Sequence, residues 1–220
     1  MRSCARALLL CGALLAAGCS GLFHSTSKAE QTYYLRSTAA PATPGAPLPV
    51  ALRVAAPAAD PGLATTHIVL VQPDHRMGFY AASRWPSSTT ALVESMAVQT
   101  LRASGSWASV QDSASPFPSD YLLQLTLRRF EADYTSGAQA PQVHVVLDAV
   151  LGRRDATDAM ASFEVAGEQA AADNRMAAVV SAFEQATNSA LDALARQTLA
   201  AVRASTPDQN AVKPVPSSSR

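Results

Sequence analysis

Residues 121–169 constrain the fold more than any other part of the chain. In "YLLQLTLRRFEADY" the residues Tyr121, Leu123, Leu125 and Leu127 share one face, with Gln124, Thr126 and Arg128 on the other. In "PQVHVVLDAVLGRR" Val143, Val145, Leu147, Ala149 and Leu151 lie opposite His144 and Asp148. "ASFEVAGEQ" repeats the pattern, with Phe163 and Val165 against Glu164. Successive side chains of a strand point to opposite faces. Three adjacent runs of this kind, joined by "SGAQAP" and "RRDATDAM", therefore predict an antiparallel sheet with one covered face. The next segment supplies the cover. After a cap at Asp173 or Asn174 the period changes to that of a helix, which runs to about Ser205. Its stripe is Met176, Val179, Val180, Phe183, Thr187, Ala190, Leu191, Leu194, Thr198 and Val202. The many alanines predict a narrow helix that sits close to the sheet.

Upstream, the pattern is more broken. "EQTYYLRS" reads as a short strand with Tyr33 and Leu35 opposite Tyr34. "TAAPATPGAPLP" (38–49) reads as a semi-extended linker, since each proline fixes φ and removes a backbone donor. Val50, Leu52 and Val54 mark a half-buried strand. The run Ile68–Val71, the turn "QPDHR" and the extended piece through Tyr80 predict a hairpin. Pro86 ends it, and Ser87 or Ser88 can cap a helix over roughly Thr89–Ser104 by accepting a bond from a free N–H. Leu92, Val93, Met96, Ala97, Thr100 and Leu101 form its stripe, and Gly105 stops it. The expected architecture is α+β. It is a single domain whose mixed or antiparallel sheet carries two helices on one face.

The 220 residues suit one such domain with tails. The boundaries read as a signal peptide over 1–18, a tether over 19–29, the domain over 30–204 and a disordered, proline-rich polar tail over 205–220. Hydrophobic residues make up 48% of the chain, but much of that is alanine, and aromatics are only 6%, so the core is modest.

The signal peptide rests on three features. Arg2 and Arg6 make a positive start, and Ala7 to Ala17 is an apolar run of 11 residues. A membrane span needs about 20. Small residues then close the run, the pattern of a cleaved secretory signal. The stretch "LAAGC", Leu15 to Cys19, resembles the lipobox of bacterial lipoproteins, with Ala16 where leucine is commoner. That resemblance implies a diacylglyceryl group on the Cys19 thiol, cleavage before Cys19 and an N-acyl chain on the freed amine. One acyl chain holds a protein only marginally, whereas two or more anchor it stably. Cys4 and Cys11 leave with the signal, so the mature chain retains no cysteine pair for a disulfide or metal site.

Charge and motifs narrow the function. The formal net charge is 0, and loss of Arg2 and Arg6 leaves the chain slightly acidic. A nucleic-acid binder would carry a basic footprint. The histidines are His24, His67, His75 and His144, and none sits in a metal-ligand spacing. No nucleophile elbow, phosphate loop or dinucleotide fingerprint is present, so neither an enzyme, a metal nor a cofactor beyond the lipid is expected. His144 and Asp148, with Arg128 on a neighbouring strand, resemble a catalytic pair in residue type. A solvated or partner-facing strand accounts for them more simply. In "ASRWP", Arg84 and Trp85 are the interface candidates. Trp85 either plugs the helix–sheet junction or joins Arg84 on a partner-facing surface, where both types are enriched as hot spots.

Taken in order, the lipobox, "YYLR", "LRVAAP", the piece Phe79–Trp85 before the first helix, "VVLDAVLG" and the long alanine-rich helix resemble one family. It is the ABC-type transport auxiliary lipoproteins, the PqiC-like group, and the resemblance covers roughly Gln31 to Val202. It implies a periplasmic docking subunit, without chemistry of its own, for an MCE-domain protein and its ABC transporter. It also implies lipid movement between inner and outer membranes and assembly as a homo-oligomeric ring. Ser20 stands where aspartate would retain a lipoprotein at the inner membrane, which favours the outer membrane. The alternative is an accessory lipoprotein of another envelope machine, for outer-membrane protein or lipopolysaccharide assembly.

Overall fold

A computed structural model describes residues 29–38 and 45–205. The described strands and helices are, in order, β1 (Gln31–Thr32), β2 (Leu48–Val54), β3 (Ala58–Ala59), β4 (His67–Val71), β5 (Met77–Arg84), α1 (Thr89–Ala103), β6 (Trp107–Gln111), β7 (Tyr121–Asp133), β8 (Gln142–Arg153), β9 (Ala159–Ala170) and α2 (Met176–Ser205). The compact unit begins at Gln31. The expectations for the signal peptide, Cys19, most of the tether, the centre of the proline-rich linker and the C-terminal tail lie outside the described residues.

Strand β7 organises the sheet. Along one edge it pairs antiparallel with β8, which pairs antiparallel with β9. Along its other edge, three short strands follow one another in parallel. Leu52–Val54 meets Tyr121–Leu123, Ala58–Ala59 meets Thr126–Leu127, and Leu70–Val71 meets Ala132–Asp133. Between them Ala55 N donates to Leu123 O and Asp60 N to Leu127 O, both at 2.9 Å. Strand β6 extends this side in parallel beyond β2, and β5 extends it antiparallel beyond β4. Strand β1 closes the far edge on Ser83 and Arg84. The sheet is mixed.

The alternation in β7 is as expected up to Leu127 and then shifts. Leu127 faces Leu147 but Arg129 faces Val146, so Arg128 is an extra residue in a bulge. Inward positions accordingly move from odd to even numbers, and Phe130 and Ala132 are fully buried. In β8 Val143, Val145, Leu147, Ala149 and Leu151 are all at 0% exposure, the covered face expected of them.

Helix α2 packs on β8 and β9 and touches α1, which lies over β6 and β2. Its 30 residues make about 45 Å of helix, matched to the roughly 40 Å of the 12-residue strands β8 and β9 beneath it. The close approach foreseen from its alanines is realised at Gly167 of β9. A methyl group there would stand 1.9 Å from the carbonyl oxygen of Ala186 and 3.0 Å from the nitrogen of Ala190. Only glycine fits beneath that turn of helix. The cap differs from expectation: Arg175 supplies the first carbonyl, to Ala178 and Val179. Asp173 steadies the approach by accepting from Arg175 N at 2.8 Å. In α1, Ser88 caps through its hydroxyl, 3.3 Å from Ala91 N, and every residue of the expected stripe is buried. Gly105, at φ +63, ends the helix in the left-handed region that glycine enters freely.

Three further readings are revised. The strand expected over 30–37 is hydrogen-bonded as strand only at Gln31–Thr32. Its facing holds, however, with Tyr33 and Leu35 packed on the core and Tyr34 at 68% exposure. Strand β2 begins at Leu48, inside the stretch read as linker, because Ser106 O and β6 give its backbone a partner. Strands β3 and β6 carried no periodic signal. In β6 only Trp107 and Val110 of five residues turn inward.

Candidate functional site

The two interface candidates separate. Trp85 is 0% exposed, and its ring meets Phe183 of α2 at 5.3 Å and Phe130 of β7 at 6.0 Å, both edge to face. Phe130 and Phe183 close the triangle at 5.1 Å. This arrangement is favourable for aromatic pairs, at about 0.5–1.5 kcal/mol each beyond area burial. Of the two readings of Trp85, the structure realises the helix–sheet plug, and the indole is not on this chain's surface. Arg84 is half-buried, and its Nε donates to Trp85 O at 3.4 Å.

His144 and Asp148 also part company. Both project from the uncovered face of β8, four residues apart, into different charge clusters. Asp148 binds Arg128 Nε at 2.6 Å, and Arg128 also reaches Asp60 at 2.8 Å. These bonds, to Asp148 first and then Asp60, hold the guanidinium above its ordinary pKa. His144 lies 3.2 Å from Glu168 through Nδ1 and 3.9 Å from Asp133 through Nε2. Arg129 completes that cluster, 2.5 Å from Glu131 and 3.0 Å from Asp133. Burial works to raise the carboxyl of Asp133. Bonds from the Thr135 hydroxyl and N–H and from Arg129 outweigh it and hold the group below its usual range. The bulge at Arg128 explains this pairing. Alternation already places Arg128 on the face of Asp60 and Asp148, and the extra residue then brings Arg129, Glu131 and Asp133 onto the next stretch of that face. A histidine without Asp148 and a carboxylate already paired with arginine do not form an acid–base couple.

Other polar side chains organise the helical layer. Asn188, in the buried stripe of α2, grips the chain after β1 at two points. Its Oδ1 accepts from Thr38 N at 3.0 Å and its Nδ2 donates to Arg36 O at 2.9 Å. Glu184 accepts from Arg36 N at 2.9 Å, and the Ser37 and Thr100 hydroxyls lie 3.2 Å apart. Residues 36–38 are thereby strapped to both helices. An amide side chain among the buried residues of α2, which otherwise carry only threonine hydroxyls as polar groups, was the available signal for this strap. At the far end of β7, the Tyr134 hydroxyl joins Tyr80 at 2.8 Å and Asn174 at 2.5 Å. Burial, and then the bond to Tyr134, push the phenol of Tyr80 up from its ordinary value.

The described surface offers open clefts rather than an enclosed pocket. One of about 340 Å³ lies under the β8–β9 turn, against Leu122, Val150, Arg153 and Arg154. A neighbour of about 260 Å³ shares both arginines. Large apolar side chains left exposed are Tyr34, Met77, Phe79 and Phe117. Among the described residues no group of histidine, cysteine and acidic side chains is arranged to hold a metal, and no helix is long and apolar enough to cross a membrane.

Comparison with known proteins places this architecture. A Xanthomonas campestris protein of the DUF330 family is 26% identical, with a TM-score of 0.72 over 80% of this chain and 98% of that one. An uncharacterised protein of known structure is 17% identical, with a TM-score of 0.60 over 77% and 99% of the two chains, and shares the fold. No curated protein matches. The family model for the ABC-type transport auxiliary lipoprotein component matches residues 33–197, from the tyrosine pair after β1 to near the end of α2. That span takes in the bulged meander, the Trp85 plug and the long helix, and the chain belongs to the ABC-type transport auxiliary lipoprotein family.

Proposed function

We propose that this chain is a periplasmic lipoprotein anchored to the outer membrane through acylated Cys19, and that it is the docking subunit of an MCE-type ABC lipid transport system. The observation that carries the reading is the family match over residues 33–197, which spans almost the whole folded unit. The lipobox "LAAGC" supports the anchor, and Ser20 after the cysteine supports the outer membrane. The dispersal of His144 and Asp148 into separate charge clusters accords with a subunit that binds and does not catalyse. A ring of identical subunits around the MCE-domain protein would let one anchored layer seat a long channel.

The test is co-purification on a C-terminal tag after mild detergent extraction, with density fractionation of the membranes. An MCE-domain protein among the partners and recovery with the outer membrane are the expected results. An outer-membrane assembly factor in its place would replace this reading with the accessory-lipoprotein one. Cys19→Ser should release a folded chain to the soluble periplasmic fraction and abolish transport. Full transport by that variant would refute a functional anchor.

A further inference from the structure

We infer that the outer edge of β9 is a docking site for a basic, extended segment of a partner protein, which adds to the sheet as a further strand. The inference rests on the docking role proposed above and gives it a surface.

Among the described residues β9 pairs with β8 alone. In an antiparallel strand, residues bonded to one neighbour alternate with residues that point their N–H and C=O the other way. About half of the backbone groups of Ala159–Ala170 therefore face outward. Natural proteins blunt such edges with lysine, proline or a bulge. Over residues 161–170 the register with β8 is unbroken, and the stretch holds no lysine and no proline. The far side of the sheet is better closed. On β6, Val110 O accepts from Arg102 Nε at 2.9 Å. On β5 the left-handed backbone of Ala82, at φ +50, interrupts the edge, and β1 covers it at Ser83 and Arg84.

Charge selects the occupant. On the uncovered face β9 presents Glu164 and Glu168, four residues or about 13 Å apart, on either side of Ala166. Glu164 is exposed and makes no ion pair with a described residue. Asp148, opposite it in β8, is already held by Arg128. Glu168 has His144 beside it at 3.2 Å and is itself exposed. Side chains directly opposite on adjacent antiparallel strands attract when their charges differ and repel when they match. An added strand with lysine or arginine at two positions four apart meets both carboxylates. The backbone bonds supply affinity in such strand addition, and the side chains supply specificity.

A second copy of this chain fits this edge poorly. Its β9 brings two further glutamates, and β6 carries no charged residue. Neither do residues 77–82, the part of β5 not paired with β1. A bilayer surface offers no backbone to complete the ladder, and anionic lipid would be repelled by the two glutamates.

The experiment uses the full-length, anchored chain in cells, with the photocrosslinker p-benzoylphenylalanine at position 166 and, as a control, at exposed position 185 of α2. Position 166, and not 185, should crosslink to the protein that co-purifies with the tagged chain, at a segment carrying two basic residues four apart. In that complex the outward amides of β9 should exchange at least about tenfold more slowly than in the free chain. Glu164→Lys combined with Glu168→Lys should lower recovery of the partner at least about tenfold while the melting temperature moves by no more than about 2 °C. Reversing the two basic residues of the crosslinked segment should restore recovery. Crosslinks to a second copy, to this chain's own terminal segments or to lipid, or no crosslink at all, overturn the proposal. So does unchanged exchange or unchanged recovery. If an MCE-domain protein still co-purifies in those cases, the β9 site falls and the transport reading stands. If the protein crosslinked at 166 is an assembly factor, the β9 site stands and the transport reading falls. If nothing co-purifies with the unaltered chain, both fall.

Discussion

The crossing of α2 over β9 can be tested by making one chemical change at two glycines. At Gly167 an added methyl would lie 1.9 Å from the backbone oxygen of Ala186 and 2.8 Å from its carbonyl carbon. Ordinary contact is about 3.4 Å, so α2 would have to lift by about 1.5 Å. The obstacle is backbone, and no rotamer change can relieve it. Phe183 lies one turn before Ala186, so the same movement would loosen its edge-to-face contact with Trp85. Overpacking of this kind costs about 1–3 kcal/mol, and the lost aromatic geometry adds about 0.5–1.5 kcal/mol. The expected loss for Gly167→Ala is therefore roughly 2–4 kcal/mol. For a domain of this size that is a fall of about 4–16 °C in melting temperature, at about 2–4 °C per kcal/mol. At Gly152 in the adjacent strand the nearest atom to an added methyl is Asp158 O at 3.8 Å, an ordinary contact. Gly152→Ala should be neutral or slightly stabilising, because alanine narrows the unfolded ensemble. Urea and thermal unfolding of the two variants side by side decide the matter. Equal stabilities, or a Gly167→Ala loss below about 0.5 kcal/mol, within the range of ordinary surface substitutions, would refute the close-crossing argument.

Three further outcomes follow from the packing and the charge clusters. Trp85→Ala should cost about 3–5 kcal/mol in urea unfolding, as for a buried large aromatic. An unchanged midpoint with weakened partner binding would instead return the indole to an interface. Asn188→Ala removes both grips on residues 36–38, costing about 1–3 kcal/mol, and should speed tryptic cleavage after Arg36 in the native state; unchanged proteolysis would show that the strap is held by other contacts. Asp133 has its carboxyl held below the usual range. Its contribution to stability is therefore present above the unfolded-state value of about 4 and is lost as pH falls through the lower folded value. Asp133→Asn should be less stable than the unaltered chain at neutral pH, and the difference should shrink on acidification. A gap that persists in acid would mean that packing, not charge, accounts for it.

Much of this protein was determined by local pattern alone. The period-2 runs of β7, β8 and β9 had one face to hide, and a long stripe of alanine, leucine and phenylalanine had one surface to offer. Their pairing into a covered meander follows from the need to remove both from water. Ser88 and Gly105 likewise mark the ends of α1 by chemistry that acts within a single turn. Tertiary structure decided what no window of sequence contains. Strands β3 and β6 are too short to show a period and exist because β7 and β2 supply hydrogen-bonding partners from far along the chain. Gly167 looks like any strand glycine until Ala186 is placed above it. Trp85 was balanced between core and surface because a tryptophan after an arginine suits either. Phe130, brought inward by the bulge at Arg128, and Phe183, 98 residues downstream, settle its burial. That same bulge sets Arg129, Glu131 and Asp133 on the face that His144 shares, while four residues of extended strand, about 13 Å, keep His144 from Asp148, which Arg128 holds. Spacing along a chain limits which side chains share a face. Which of them touch depends on register, and register belongs to the sheet as a whole.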